Sequence, residues 1–337
     1  MGFVKNLLYK ISTENLLFIF RKQPLFPYYH IVSDKAVHHI DNLYDFKNKK
    51  QFEEDLDFLL HTYKPLDPEA LWNNGCTENS FLLTFDDGLS EIYTNIYPIL
   101  KSKGIKAIFF INPDFVDNKE ILYKHEISIV INHLKKSNVT NEQKEKLGRM
   151  LFNTTENYNT TSAIKAVKNI TYQEREMVRK VSKILKINIE EYLAKNKPYV
   201  SSENIKEMLN DGFFFGSHTM SHPPLQQLTI EEQKKQIIDA IEWMKNQFHI
   251  KQPSFAFPFT DRGISKSVIQ HILDYDQNLL IFGNSGMKKD VNNRIIQRFS
   301  LEKPSKKIGK VICTEHLYKY YNKIIGSYTI KRKYEHP

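Results

Sequence analysis

Phe81-Leu82-Leu83-Thr84-Phe85-Asp86-Asp87-Gly88 runs from an apolar strand pattern into two adjacent carboxylates and a glycine. Neighbouring strand residues point to opposite sides, so Asp86 and Asp87 would diverge in regular β structure; the turn Gly88 allows at the strand's end can bring both towards one cleft. Two carboxylates near a cation can divide the labour, one binding metal and the other accepting a proton. An Asp-Asp-Gly turn that merely closes a strand is the competing reading. A second string, Phe213-Phe214-Phe215-Gly216-Ser217-His218-Thr219-Met220-Ser221-His222-Pro223-Pro224, repeats the passage from apolar strand to polar loop. His218 and His222 have the spacing of a helical metal pair, yet Pro223 and Pro224 argue against a continuing helix, leaving a compact loop to converge the imidazoles. Imidazole with carboxylate suits zinc or another divalent transition ion.

Working outward, the same pattern recurs. Candidate strands are Pro27 to Val32, Ser80 to Phe85, Lys106 to Ile111, Phe213 to Gly216, Ser254 to Phe257, Leu279 to Gly283 and Arg294 to Phe299, separated by helical patterns. This alternation predicts a parallel β/α architecture, a deformed barrel of about seven strands over residues 25–300. The third string, Ser254-Phe255-Ala256-Phe257-Pro258-Phe259-Thr260-Asp261-Arg262-Gly263, again breaks from a buried strand into a Pro- and Gly-bounded loop. In such barrels the strand C-termini share one face, where the active site is expected. Residues 113–200 differ in texture, rich in Asn, Lys, Thr and Glu, and read as a helical insertion between the third and fourth strands. Residues 301–337 read as a basic helical tail and 1–24 as a basic amphipathic segment.

Composition bounds the function. The chain has 337 residues, 41% hydrophobic and 26% charged, which argues against a largely disordered chain, a collagen-like fibre or a coiled coil. No apolar run approaches the roughly 18 residues of a membrane span. Its 48 Lys+Arg against 39 Asp+Glu give +9, which favours acidic partners only weakly, since a solvated basic face is the simpler reading. No nucleic-acid-binding motif accompanies the charge. Cys76 and Cys313 carry neither a disulfide framework nor a C-x-x-C spacing. The first residues lack a secretory layout, so a cytoplasmic protein is expected. Their basic amphipathic pattern leaves two readings open, a helix packed on the domain or one lying peripherally on the inner membrane.

Thr84-Phe85-Asp86-Asp87-Gly88, Ser217-His218-Thr219-Met220-Ser221-His222 and Phe255-Ala256-Phe257-Pro258-Phe259 together resemble the polysaccharide deacetylase family, the NodB-homology or family four carbohydrate esterases. Tyr28-Tyr29-His30-Ile31-Val32-Ser33 resembles the Tyr-His strand that often opens such domains. The resemblance implies a deformed (β/α) barrel in which Asp87, His218 and His222 bind a divalent metal, Zn2+ before others, and Asp86 is the general base. Pro258 and Phe259 would wall the substrate, Phe259 receiving the acetyl methyl. Many members place an arginine where this chain has Ala256; Arg298 or Arg262 could replace it, and Arg298, on a strand, is preferred. The family's late Leu-x-His general acid has no clear counterpart among His271, His316 and His125. The expected activity is metal-dependent removal of the N-acetyl group from an N-acetylated sugar of a polysaccharide or glycolipid precursor. An O-acetyl esterase or non-sugar amide hydrolase on the same barrel, and a non-catalytic carbohydrate-binding barrel, are the alternatives.

Overall fold

The computed structural model describes residues 2–20, 22–154 and 158–333; Met1, Arg21 and residues 334–337 of the two expected end segments, and 155–157 of the expected insertion, lie outside them. The chain forms two compact units, one of Met1–Asp34, Phe46–Val116 and Val200–Pro337, the other of Lys35–Asp45 and Asp117–Tyr199.

The first unit is built on ten short strands: β1 (Pro27–Tyr29), β2 (Lys64–Pro65), β3 (Ser80–Phe81), β4 (Leu83–Phe85), β5 (Ala107–Ile111), β6 (Phe214–Ser217), β7 (Ser254–Ala256), β8 (Leu280–Gly283), β9 (Ile295–Gln297) and β10 (Phe299–Ser300). Eight form one sheet in the order β10-β1-β4-β5-β6-β7-β8-β9, and every pairing is parallel. Parallel strands are covered on both faces, which is why β5 reads as the continuous run Ala-Ile-Phe-Phe-Ile and is buried throughout. On the helix-facing side Tyr29, Phe85, Phe109 and Phe215 stack ring on ring across four adjacent strands, with centroids 5.0 to 5.9 Å apart. The alternate positions Ile108, Phe110, Ala256 and Phe282 join a separate interior cluster.

The expected deformed (β/α) barrel is therefore present, with two of the seven anticipated strands divided. Ser80–Phe85 splits at Leu82, whose N–H donates to the Leu25 carbonyl at 2.9 Å; the leading half pairs with β2 in a separate two-stranded sheet. Arg294–Phe299 splits at Arg298, with β9 pairing to β8 and β10 to β1. The two edges of the sheet thus meet at one residue.

The other unit is helical, with helices Tyr123–Lys136, Asn141–Phe152, Thr160–Lys168, Glu176–Ile184 and Ile189–Asn196. Their starts are written locally: Thr140 and Gln143 form a reciprocal capping box, and Asn159 and Asn188 cap the helices that follow them. Inside it His125 Nδ1 lies 2.7 Å from the Tyr199 hydroxyl and Ser182 donates to Glu126 at 2.8 Å.

In the first unit the helix Phe3–Ile11 lies against Ile308–Ile324. Lys5 pairs with Glu315 at 2.6 Å, and Tyr9 accepts from the Lys307 N–H at 3.1 Å. Phe20 stacks on His316, with centroids 4.9 Å apart. Among the described residues no helix is long and apolar enough to cross a membrane.

His316 is fully buried and neither ring nitrogen has a hydrogen-bond partner. Burial, helped by Lys319, pulls its pKa down to about 4, so the fold favours neutral imidazole. That contribution is complete above the ordinary value and is lost as pH falls through the folded one, about 3 kcal/mol over this interval. A His316→Phe variant, which keeps the stack on Phe20, is expected to gain stability over the parent progressively from pH 7 to pH 4 in urea titrations. Parallel curves would show that His316 is not held neutral.

Candidate active site

Thr84 and Asp86 are two apart, so both project to the same side of their strand, and both meet Arg298. Its guanidinium forks onto Asp86, Nη1 to Oδ1 at 2.7 Å and Nη2 to Oδ2 at 2.9 Å, while Nη1 also donates to Thr84 Oγ1 at 2.8 Å and Nε to the Gly283 carbonyl at 3.2 Å. Arg298 is wholly buried, with its guanidinium 4.9 Å from the Tyr28 ring centroid and 5.2 Å from that of Phe110. Small Ala256 belongs to the same interior cluster as Phe110 and Phe282. The guanidinium thus approaches Asp86 from β9–β10 instead of from β7. Burial pushes the Asp86 carboxyl up, but Arg298, then His218 and His30, outweigh it and hold the pKa below the usual carboxylate value.

A regular strand would send Asp87 to the opposite face. Instead Asp87 has φ +71° and Gly88 φ +64°, and a Cβ on Gly88 would come within 2.9 Å of Ile111 Cγ2. Two successive left-handed residues therefore swing Asp87 onto the rim. There its Oδ1 lies 3.4 Å from His218 Nε2 and 3.1 Å from His222 Nε2. The ligand atoms of Asp87, His218 and His222 all lie within 4.8 Å of one another, and all three residues are buried.

The donor set fits a metal. The Ala256 carbonyl accepts from His218 Nδ1 at 2.8 Å, so the ring proton sits on Nδ1 and the Nε2 lone pair faces Asp87. Asp87 Oδ1 is buried without a hydrogen-bond partner. Two ligands of a tetrahedral ion with bonds of about 2.0–2.2 Å sit roughly 3.4 Å apart, close to the spacings seen. Burial lowers the His222 pKa, with Asp87 opposing; burial raises Asp87, but His222 and His30 carry it well below the ordinary value. A His222 imidazole biased towards neutrality beside an ionised carboxylate matches the protonation states a metal requires of those two groups.

The loop after β6 is pinned by backbone contacts. Asn112 donates to the carbonyls of His218 and Thr219, the latter at 3.0 Å, and Thr219 Oγ1 accepts from the His222 N–H at 3.1 Å. Thr219 and His222 both have positive φ, as does Phe259. Phe259 stands half exposed with its ring edge-on to His222, centroids 4.5 Å apart, and Pro258 beside it is buried.

Several residues at this rim escape the sequence reading. Glu302 accepts from the N–H groups of His30 at 2.8 Å and Ile31 at 3.2 Å, and its other oxygen lies 2.8 Å from His30 Nδ1. Burial lowers the His30 pKa, but Glu302, then the charges of Asp87 and Asp86, push it up to about 10. His30 follows β1 directly, so the strand-end logic that singled out Asp86 and His218 would have found it; Glu302, far away in sequence, gives no such signal. The loop carrying Phe259 is tied down by Asp261, which pairs with Arg332 at 2.9 Å while Arg332 also holds Asp290 at 2.6 Å. Of the other candidates, Arg262 is exposed, His271 sits exposed in the helix Lys266–Tyr275, and His316 is sequestered under Phe20. His125 belongs to the helical unit.

A family model described as polysaccharide deacetylase matches residues 73–279. That is more than half of the chain, and the chain belongs to this family. YxkH of Bacillus subtilis (strain 168), whose name assigns it provisionally to the polysaccharide deacetylases, is 31% identical over 114 residues, covering 29% of this chain and 41% of that protein. The match thus spans less than half of the relative's length. Among solved structures, the Streptococcus pyogenes deacetylase PplD in complex with acetate has a TM-score of 0.54 at 16% identity, covering 86% of this chain and 97% of that one. IcaB from Ammonifex degensii has a TM-score of 0.53 at 16% identity, covering 87% and 97%. At such identity the structural likeness speaks for the fold.

Replacing Arg298 strands the Asp86 carboxylate in the interior, and breaking a buried pair in this way costs about 3–5 kcal/mol. Urea unfolding of Arg298→Met is expected to show a loss of that size, with Arg298→Lys intermediate because an ammonium cannot fork onto both oxygens. A loss below about 1 kcal/mol for Arg298→Met would mean that Asp86 is not ionised in the fold.

Proposed function

We propose that this deacetylase is a metal-dependent N-deacetylase acting on an N-acetylated sugar of a polysaccharide or glycolipid precursor. The observation that carries the reading is the division of the Asp86-Asp87 pair, one carboxylate clamped by Arg298 and the next facing two imidazoles. Asp87, His218 and His222 would hold the ion, with Zn2+ favoured by two nitrogens and a carboxylate. When bound, the ion supplies Lewis acidity towards the acetyl carbonyl and the attacking water.

The remaining roles fall to the chain. Asp86 stays ionised beside Arg298 and takes the proton of the attacking water as its oxygen bonds to the acetyl carbon. Arg298 orients that carboxylate through two bonds and keeps it charged. The C–N bond breaks only as the leaving nitrogen gains a proton, and His30, protonated at neutral pH by Glu302, is the donor at this rim. The products are acetate and a free amine. Phe259, apolar and half exposed beside His222, receives the acetyl methyl.

Acetate release should be measured on N-acetylated oligosaccharides and glycolipids with zinc-reconstituted protein, chelated protein and Asp86→Asn. Release is expected only from the zinc form, restored when zinc is returned after chelation, with Asp86→Asn at least about 100-fold slower. Turnover that survives both chelation and Asp86→Asn would overturn the assignment.

An amine is a poorer leaving group than an alkoxide, so a proton donor matters more for an amide than for an ester. His30→Gln is expected to lower kcat on the N-acetyl substrate by about 100-fold or more while leaving hydrolysis of an activated acetate ester within a few fold. Equal losses on both substrates would assign His30 a structural part instead.

A further inference from the structure

The net charge of the chain is confined to its two end segments. Residues 1–22 carry four basic and one acidic side chain and residues 301–337 nine and three, leaving 35 of each for the 278 residues between. The whole +9 therefore belongs to these segments, and the barrel and helical unit together are neutral. Apolar exposure follows the same division. Of thirteen large hydrophobic side chains exposed among the described residues, five (Phe3, Leu7, Ile11, Phe18 and Ile19) lie on the first helices and three (Tyr320, Ile324 and Ile325) on or just after the helix Ile308–Ile324 that packs against them.

Phe3, Leu7 and Ile11 are spaced four apart, so they form one stripe along the helix Phe3–Ile11. They are 54 to 85% exposed, which a single packed unit does not require of three consecutive turns. The helix is held by its other side, through Lys5 to Glu315 and Tyr9 to Lys307, so the exposed stripe is a fixed feature and not a frayed end.

We propose that this face docks the protein on an anionic lipid bilayer. The first helices insert their apolar side chains at the boundary between headgroups and acyl chains, and the lysines of both segments meet the negative surface. Charge complementarity selects this occupant: a second copy of the chain would set two strongly basic faces against each other, whereas an anionic bilayer offers opposite charge and an apolar layer together. Docking bears on a cleft that borders the Arg298 site through a single ring. A cleft of about 550 Å³ lined by Phe3, Lys5, Tyr28, Arg262, Lys303 and Lys306, among others, shares Phe3 with the stripe. Its Tyr28 is the ring against which the Arg298 guanidinium lies. A bilayer under Phe3 would place the headgroups at the mouth of this cleft.

The test is vesicle flotation of the full chain, which needs no turnover and is independent of the deacetylase reading. Vesicles of phosphatidylcholine alone are compared with phosphatidylcholine mixed with phosphatidylglycerol, at low and high salt. Recovery with the mixed vesicles at low salt, reduced several-fold at high salt and absent with phosphatidylcholine alone, is expected. A Phe3→Asp/Leu7→Asp/Ile11→Asp variant and a separate Phe18→Asp/Ile19→Asp variant, each checked for an unchanged melting curve, should bind at least about tenfold more weakly. No recovery of the parent with mixed vesicles overturns the proposal. So does full retention by both variants, which would leave only diffuse charge attraction, or a concentration-dependent dimer in light scattering that the variants abolish while the parent ignores vesicles.

Discussion

A guanidinium with no exposed surface sits where the barrel closes. Arg298 separates β9 from β10, so the residue that lets one run of chain pair with both edges of the sheet also carries the charge that meets Asp86. Closure and electrostatics are thus one constraint. An arginine could not be buried here without a carboxylate, and Asp86 could not stay ionised at this depth without an arginine. Thr84 and the Gly283 carbonyl accept two further N–H groups, and aromatic rings lie against the guanidinium. Each of these partners comes from a strand, which is why Asp86 is held on the rigid part of the molecule.

From that fixed point the other groups reach the rim by strain. Asp87, Thr219, His222 and Phe259 all have positive φ although none is glycine, and each such residue carries about 1–2 kcal/mol of local strain. The surroundings over-determine them. Asn112 holds two carbonyls of the motif loop, Ala256 fixes the His218 ring, and the Asp261–Arg332–Asp290 cluster anchors the loop bearing Phe259. The stabilising contacts lie further out than the converging groups, so the strain buys convergence of side chains that regular strands would disperse.

That layering governs how much could be read from sequence. The barrel was legible because buried parallel strands write themselves as apolar runs, and Asp86, Asp87, His218 and His222 were legible because each follows such a run directly. Ala256 gave a useful negative signal: the arginine missing on that strand left Arg298 and Arg262 as candidates, and it is Arg298 that meets Asp86. Other features left no local mark. Nothing near Leu82 announces that its strand divides, since the cause is a bond to Leu25; nothing near Lys35–Asp45 assigns it to the helical unit; and Glu302, Asp261 and Arg332 matter through partners up to 272 residues away.

The histidines of the first unit show most directly how position becomes function. His222 and His316 are buried and His30 is partly exposed, and of the three only His30 is pushed towards its protonated form. Its ring faces a glutamate whose second oxygen is already committed to the backbone of the same turn, so charge is held where the strand ends and is pushed up to about 10. His222 also has a carboxylate beside it, but Asp87 is shared with His218, and the second imidazole together with burial tips the balance towards neutrality. His316 has no acid at all and falls to about 4. One rim therefore carries a cationic imidazole at His30, an imidazole biased towards neutrality at His222, and a carboxylate kept anionic by arginine. In the proposed N-deacetylation those states would serve as a donor for nitrogen, a ligand for an ion and a base for water, and identical side chains would supply the first two only because their acidic neighbours are unequally divided.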